Sequence, residues 1–217
     1  MRRVCVFLLA SILASATALQ AEELPAPLRL LSEWQNEPQG AALLQETRLL
    51  VAQLLEKPET IEPPGLEWPG APTGVFLTAM QNRRVQACVG ALYPSGQALG
   101  QALLRQAQRL LRDDHRHEPL TAHRFAEMRL VVSFTGAPRP VTDPSQVDIW
   151  HQGLVARHQS RAAVLLPGEA KTLAWGLSFL QKQLGVQHHD AMTFYQVPVV
   201  TFAEPQKESP STLSTFR

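Results

Sequence analysis

Cys88 and the polar side chains near it in sequence are the residues whose types could do chemistry. The stretch GVFLTAMQNRRVQACVG, Gly74 to Gly90, carries the thiol towards the end of a β-prone run, and Gly90 admits close backbone approach. A thiolate becomes a nucleophile or metal ligand when a cation, a histidine or a helix N-terminus lowers its pKa. The nearest cations in sequence are Arg83 and Arg84; His115, His117 and His151 are the candidate bases that would serve a catalytic Cys88. Asp113, Asp114, His115 and His117 bring carboxylates and imidazoles together, and so do His188, His189 and Asp190 with Met192. Both groups have unspecific spacing in polar loops, so the solvated reading is preferred and no metal site is assigned. The sequence holds no H-E-x-x-H, no G-x-S-x-G and no Gly-rich phosphate loop, which removes the commonest hydrolase and nucleotide readings.

The thiol is positioned by a predicted hairpin. Val75–Leu77 and Val85–Val89 are β-prone, and Gln81-Asn82-Arg83-Arg84 is the polar turn between them. Three helices are expected around it. Gly40–Glu56 places Leu43, Leu44, Thr47, Leu50, Val51, Leu54 and Leu55 on one face. Gln97–Arg112 does the same with Leu99, Ala102, Leu103, Gln106, Leu110 and Leu111, and its Arg105, Arg109 and Arg112 read as a solvated face. Glu169–Leu184 ends on Gly185 as a C-cap. Ala122–Glu127 adds a short helical turn and Met128–Thr135 a strand. Ile149–Ala156 with Ala162–Leu166 forms a second hairpin, and Tyr195–Phe202 a last strand, where Pro198 predicts an edge. Strands and helices are interspersed without strict alternation, so the fold class expected is α+β.

The first residues have a different character. Arg2 and Arg3 precede an uncharged apolar run from Val4 to Ala14, and Ala16-Thr17-Ala18 offers a small-x-small cleavage pattern. Residues 1–21 therefore read as a secretory signal peptide, with secretion or a periplasmic location expected and no stable membrane anchor after cleavage. Removing it would take the formal charge from +1 to −1 and the cysteines from two to one, leaving Cys88 no intrachain disulfide partner. Near-neutral charge without a basic stripe excludes the electrostatic footprint of nucleic-acid binding. Residues 22–72 read as a lead-in, the first helix and a Pro-rich strap; 73–202 as the main domain; 203–217, rich in Ser, Thr and Pro, as a disordered tail.

From Gly74 to Phe202 the chain resembles the AMMECR-one domain family, which includes the A component of the AmmeMemoRadiSam gene neighbourhood. The family pairs G-x-F-V-T-L with L-R-G-C-I-G, and here these read Gly74-Val75-Phe76-Leu77-Thr78-Ala79 and Val85-Gln86-Ala87-Cys88-Val89-Gly90. Its D-P-R-F-x-P-L is similar to Asp114-His115-Arg116-His117-Glu118-Pro119-Leu120, its K-H-G-L to His151-Gln152-Gly153-Leu154, and its L-L-P-Q-V-A to Leu165-Leu166-Pro167-Gly168-Glu169-Ala170. The family's arginine two before the cysteine is Gln86 here, the loop histidine is Gln152, the Gln of L-L-P-Q is Gly168, and K-A-G-L has become Gln183-Leu184-Gly185-Val186. Polar positions expected around the thiol are thus neutralised while the apolar anchors survive.

The resemblance implies a mixed sheet with three main helices packed against it. It also implies a cleft beside Cys88 shared with the Asp114–His117 loop and Gln152. The binding residues it implies are Gln86, Cys88, Gly90, Asp114, Arg116, Gln152 and Gly153; Cys88 and His117 would be catalytic if the domain were an enzyme. The expected role is a non-catalytic binding or accessory module with a protein or peptide partner in the cell envelope. The alternative is a Cys-dependent enzyme, or a component of a peptide- or protein-modification system linked to Memo-like and radical-SAM proteins. The cofactor is left open by the residues.

Overall fold

The hairpin predicted around Cys88 forms the start of the sheet. In the computed structural model, which describes residues 24–57, 61–68, 74–82, 84–92, 98–113, 118–188 and 191–206, strand β1 (Gly74–Gln81) pairs antiparallel with β2 (Arg84–Ala91). Asn82 takes a positive φ of 49° in the turn, a conformation that Asn tolerates better than most residues. The register slips once. Ala79 faces Ala87 but Met80 faces Val85, so Gln86 is an extra residue in β2, a bulge that bends and twists this edge.

The remaining strands are β3 (Arg129–Thr135), β4 (Arg139–Val141), β5 (Gln152–His158), β6 (Arg161–Leu165) and β7 (Thr193–Ala203). The hydrogen-bonded order is β2-β1-β3-β7-β5-β6, antiparallel at every pairing, with β4 continuing along β7 where β3 ends. The helices are α1 (Ala26–Trp34), α2 (Pro38–Glu56), α3 (Leu99–Arg112), α4 (Ala122–Glu127) and α5 (Leu173–Leu184). The fold is α+β, as expected.

Two cores lie along the sheet. The larger joins Leu28, Leu43, Val51 and Leu103 from the helices to Leu77, Val132 and Phe134 of β1 and β3, with Val200 and Phe202 from the end of β7. Phe134 meets Trp68 and Phe202 edge-on, each with ring centroids 5.8 Å apart, so the strap before β1 is held down by its tryptophan. The smaller core sets Leu180 and Leu184 of α5 against Leu154, Ala156 and Leu165, with Phe194 from the start of β7.

Several expectations are corrected. Leu24–Pro38 is not an irregular lead-in: it holds α1, whose Leu28 and Leu31 are fully buried, and Pro38 is the first residue of α2. A proline at a first helical position lacks only an N–H that has no intrahelical acceptor anyway. Pro198 does not mark an edge, because β7 is central. It sits where β3 has ended and β4 has not begun, so its missing N–H falls at a junction, while its carbonyl accepts from Gly136 N at 2.9 Å. The third helix starts at Leu173, capped by Thr172 Oγ1 accepting from Trp175 N, and ends on Gly185 in the left-handed region (φ 72°), as read from the sequence. Residues 203 and 204 are not tail. Ala203 belongs to β7, and Glu204 forms a bidentate pair with Arg48 and accepts from Leu130 N at 2.7 Å. Residues 1–21 and 207–217 lie outside the described residues.

Candidate functional site

Thr78 and Cys88 face each other across the β1–β2 ladder, and the Thr78 hydroxyl donates to Cys88 Sγ at 3.3 Å. Cys88 is half-buried. Two residues along, Gly90 faces Phe76, and a Cβ on Gly90 would lie 2.0 Å from the Phe76 ring. The close approach that Gly90 permits is thus made by that ring, which lies across the strand and helps wall the cleft beside the thiol.

That cleft, of about 620 Å³, is bounded on one side by Cys88, Val89 and Gly90 of β2 and on the other by Arg161, Ala162, Ala163 and Val164 of β6. The two terminal strands of the sheet order therefore face one another across a gap: the sheet curls most of the way to a barrel and stops. α5 contributes Phe179 and Gln183, α3 contributes Arg109, and Asp113 and Glu169 complete the polar lining. A second cavity of about 720 Å³ runs on along β2, past Arg84, Val85 and the bulged Gln86, and is walled by Gly168, Trp175 and Lys182. Glu169, Phe179 and Gln183 line both, so the two form one groove. Trp175, 53% exposed, stacks on Phe179 with centroids 5.6 Å apart and rings 8° from parallel.

Both arginines among the described residues of the cleft are held by hydrogen bonds. Arg109 donates to Gly90 O at 3.0 Å, to Gln106 Oε1 at 3.1 Å and to Asp113 Oδ2 at 2.9 Å. Arg161 donates to Gln183 O and Leu184 O, the last carbonyls of α5, where a cation is favoured by the helix dipole. The sequence reading missed Arg109, because helical spacing alone does not distinguish a cation in solvent from one turned against a neighbouring strand. It also missed Arg161, which lies between the two predicted strands of the second hairpin.

The structure separates other predicted residues from the thiol. Among the described residues Gln152 lines not the Cys88 cleft but a cavity of about 160 Å³ with Leu24, Arg139, His151 and Pro198. The reason is register. Gln152 pairs with Pro198, two residues before Leu154 meets Leu165 at the end of β6, so it projects beyond the gap between β2 and β6. Gly153 is buried against Val197 and Val199. His151 bonds Asp148 at 2.7 Å, and that hydrogen bond, followed by one from Trp150 N, holds the Asp148 carboxyl below the usual range. Asp114, Arg116 and His117, with His115, lie outside the described residues. Gln86 and Gly90 do line the joined groove with Cys88. Gln86, Gly168 and Gln183, three of the positions at which this chain departs from the family pattern, converge in its second compartment.

A curled antiparallel sheet wrapped by helices, with Cys88 on the first edge strand, defines an α+β domain of the AMMECR-one type. The AMMECR1 family model matches residues 30–197, and the chain belongs to that family. A solved structure of an uncharacterized Pyrococcus horikoshii protein, PH0010, superposes with a TM-score of 0.63 at 21% identity, over 80% of this chain and 92% of that one. A curated relative from Methanocella arvoryzae, named only as a protein, is 28% identical over 118 residues; the match spans 52% of this chain and 56% of the relative. The family match begins within α1 and so takes in α2 as well as the sheet.

Proposed function

We propose that this chain is a binding module of the AMMECR1 family whose ligand lies in the groove beside Cys88. The observation that carries this reading is the continuity of the groove. It joins a thiol, two anchored guanidinium groups and an exposed aromatic stack along the facing edges of one sheet, a concave surface with a few convergent polar groups. The ligand class is a protein or peptide of the cell envelope. Support for that compartment comes from Arg2 and Arg3 before an apolar run and from Ala16-Thr17-Ala18.

Protection of the thiol tests the reading. A peptide digest of envelope proteins is passed over the immobilised chain, and alkylation of Cys88 by iodoacetamide is followed with and without the retained peptides. Retained peptides should slow alkylation in the wild type, bind to Cys88→Ser, and be lost from a Trp175→Ala, Phe179→Ala variant. Equal retention by that variant with no protection of Cys88 would refute it. The second reading, a Cys-dependent enzyme, is favoured by Arg109 and Arg161 sharing the cleft with the sulfur, since a nearby cation stabilises a thiolate. It requires a mass change on retained peptides that Cys88→Ser abolishes.

A further inference from the structure

The groove is lined by strand edges rather than by a strand face. Side chains alternate along a strand, so a cavity lying on a face meets every second residue. Here three consecutive residues of β2, Cys88 to Gly90, and four of β6, Arg161 to Val164, all line the cleft. The ladder phase agrees on both sides. In β2, Gly90 O accepts from Arg109, so it turns away from β1. In β6, the two-residue turn makes His158 and Arg161 the closing hydrogen-bonded pair, which directs the N–H groups of residues 162, 164 and 166 away from β5. Leu166 N confirms this phase by donating to Glu169 Oε2 at 2.9 Å. An arginine thus supplies the donor, and a glutamate the acceptor, that a neighbouring strand would bring.

Resting on the binding reading above, we infer that the groove takes an extended acidic peptide as an added β-strand, paired to the outer edge of β6, with Glu169 standing in for it until it binds. β6 is the edge that can be extended, because its pairing with β5 is regular over five residues, about 17 Å of strand, whereas Gln86 bulges β2. The acidic preference follows from charge. Among the described residues the joined groove is lined by Arg84, Arg109, Arg161 and Lys182 against Asp113 and Glu169, a surplus of two positive charges. Main-chain hydrogen bonds supply affinity in this mode, and alternate side chains supply specificity, one of them meeting the Trp175–Phe179 stack.

Random linear peptides displayed on phage, selected on the full chain and resynthesised, provide the test. The expected result is enrichment of acidic sequences with an aromatic residue, and a loss of affinity of about tenfold for each alternate backbone amide that is N-methylated, with the intervening amides tolerant. Val164→Pro, which removes a donor outside the β5 ladder, should weaken binding similarly. Because the methylated peptides act on unaltered protein, a folding defect in that variant does not confuse the result. Absence of enriched peptides, or binding through dimerisation of this chain edge to edge, overturns the inference. Peptides that protect Cys88 from iodoacetamide yet tolerate N-methylation everywhere also overturn it, while leaving the binding reading intact.

Discussion

Replacing Arg48 by Ala should destabilise the domain by about 3 kcal/mol. Arg48 projects from α2, lies 4.6 Å from the centroid of the Phe125 ring, and grips Glu204 with two nitrogens. It also donates to Met128 O at 2.6 Å and to Phe125 O at 3.4 Å. The two side chains are 24% and 16% exposed, so the pair is much closer to a buried than to a surface bridge. Truncating one partner of a buried pair costs about 3–5 kcal/mol, an exposed pair about 0–1, and the cation–π contact adds roughly 0.5–1. The low end of the buried range applies, because Glu204 keeps its bond from Leu130 N.

Equilibrium urea unfolding would read this as a lower midpoint with an unchanged slope, and calorimetry as a Tm lower by about 6–12 °C. The cycle with Glu204→Gln should show coupling above roughly 1 kcal/mol. Truncation after Ala203 should reproduce the loss of Glu204, whereas truncation after Gln206 should not. A cost below about 1 kcal/mol for Arg48→Ala would place the pair among surface bridges and refute the reasoning.

Gly90→Ala should cost about 1–3 kcal/mol by driving a methyl into the Phe76 ring, and Phe76→Leu should restore part of it; a neutral Gly90→Ala in thermal unfolding would count against the packing described. Asp148, its carboxyl lowered first by the His151 hydrogen bond, contributes stability that is present above its ordinary value of 3.8 and is lost as pH falls through the lowered folded value; carboxyl NMR titration should show that midpoint and His151→Ala should raise it. N-terminal sequencing of protein recovered from the cell envelope should begin after Ala18 or Ala21, and recovery starting at Met1 would contradict export.

How far the sequence revealed this arrangement varied with the physical signal involved. The first hairpin was legible because two β-prone runs bracket a polar turn, and α2 because its leucines recur at three and four residues. α1 was not, since its prolines look like breakers although the first turn of a helix accepts them. Cys88 could be singled out as a thiol two residues before a glycine, and Gln86 by its departure from the family pattern. Arg109 could not, because what makes it part of the site is the carbonyl of Gly90 on another element. The cavity that Gln152 lines was hidden for the converse reason: where it projects is fixed by the register between β5 and β7, which no local pattern encodes.

The position of β7 also sets the order in which the domain can be completed. It is the last of the described strands along the chain, yet it lies between β3 and β5 and sends Val200 and Phe202 into one core and Phe194 into the other. During synthesis the β1–β3 unit and the β5–β6 hairpin therefore exist before the strand that joins them, each with an unpaired inner edge. Antiparallel pairing across more than fifty residues, as between Val131 and Ala203, makes closure a slow step governed by long-range contacts. The nascent chain stays open until β7 emerges, a window in which it is accessible to chaperones and still able to thread through a narrow pore.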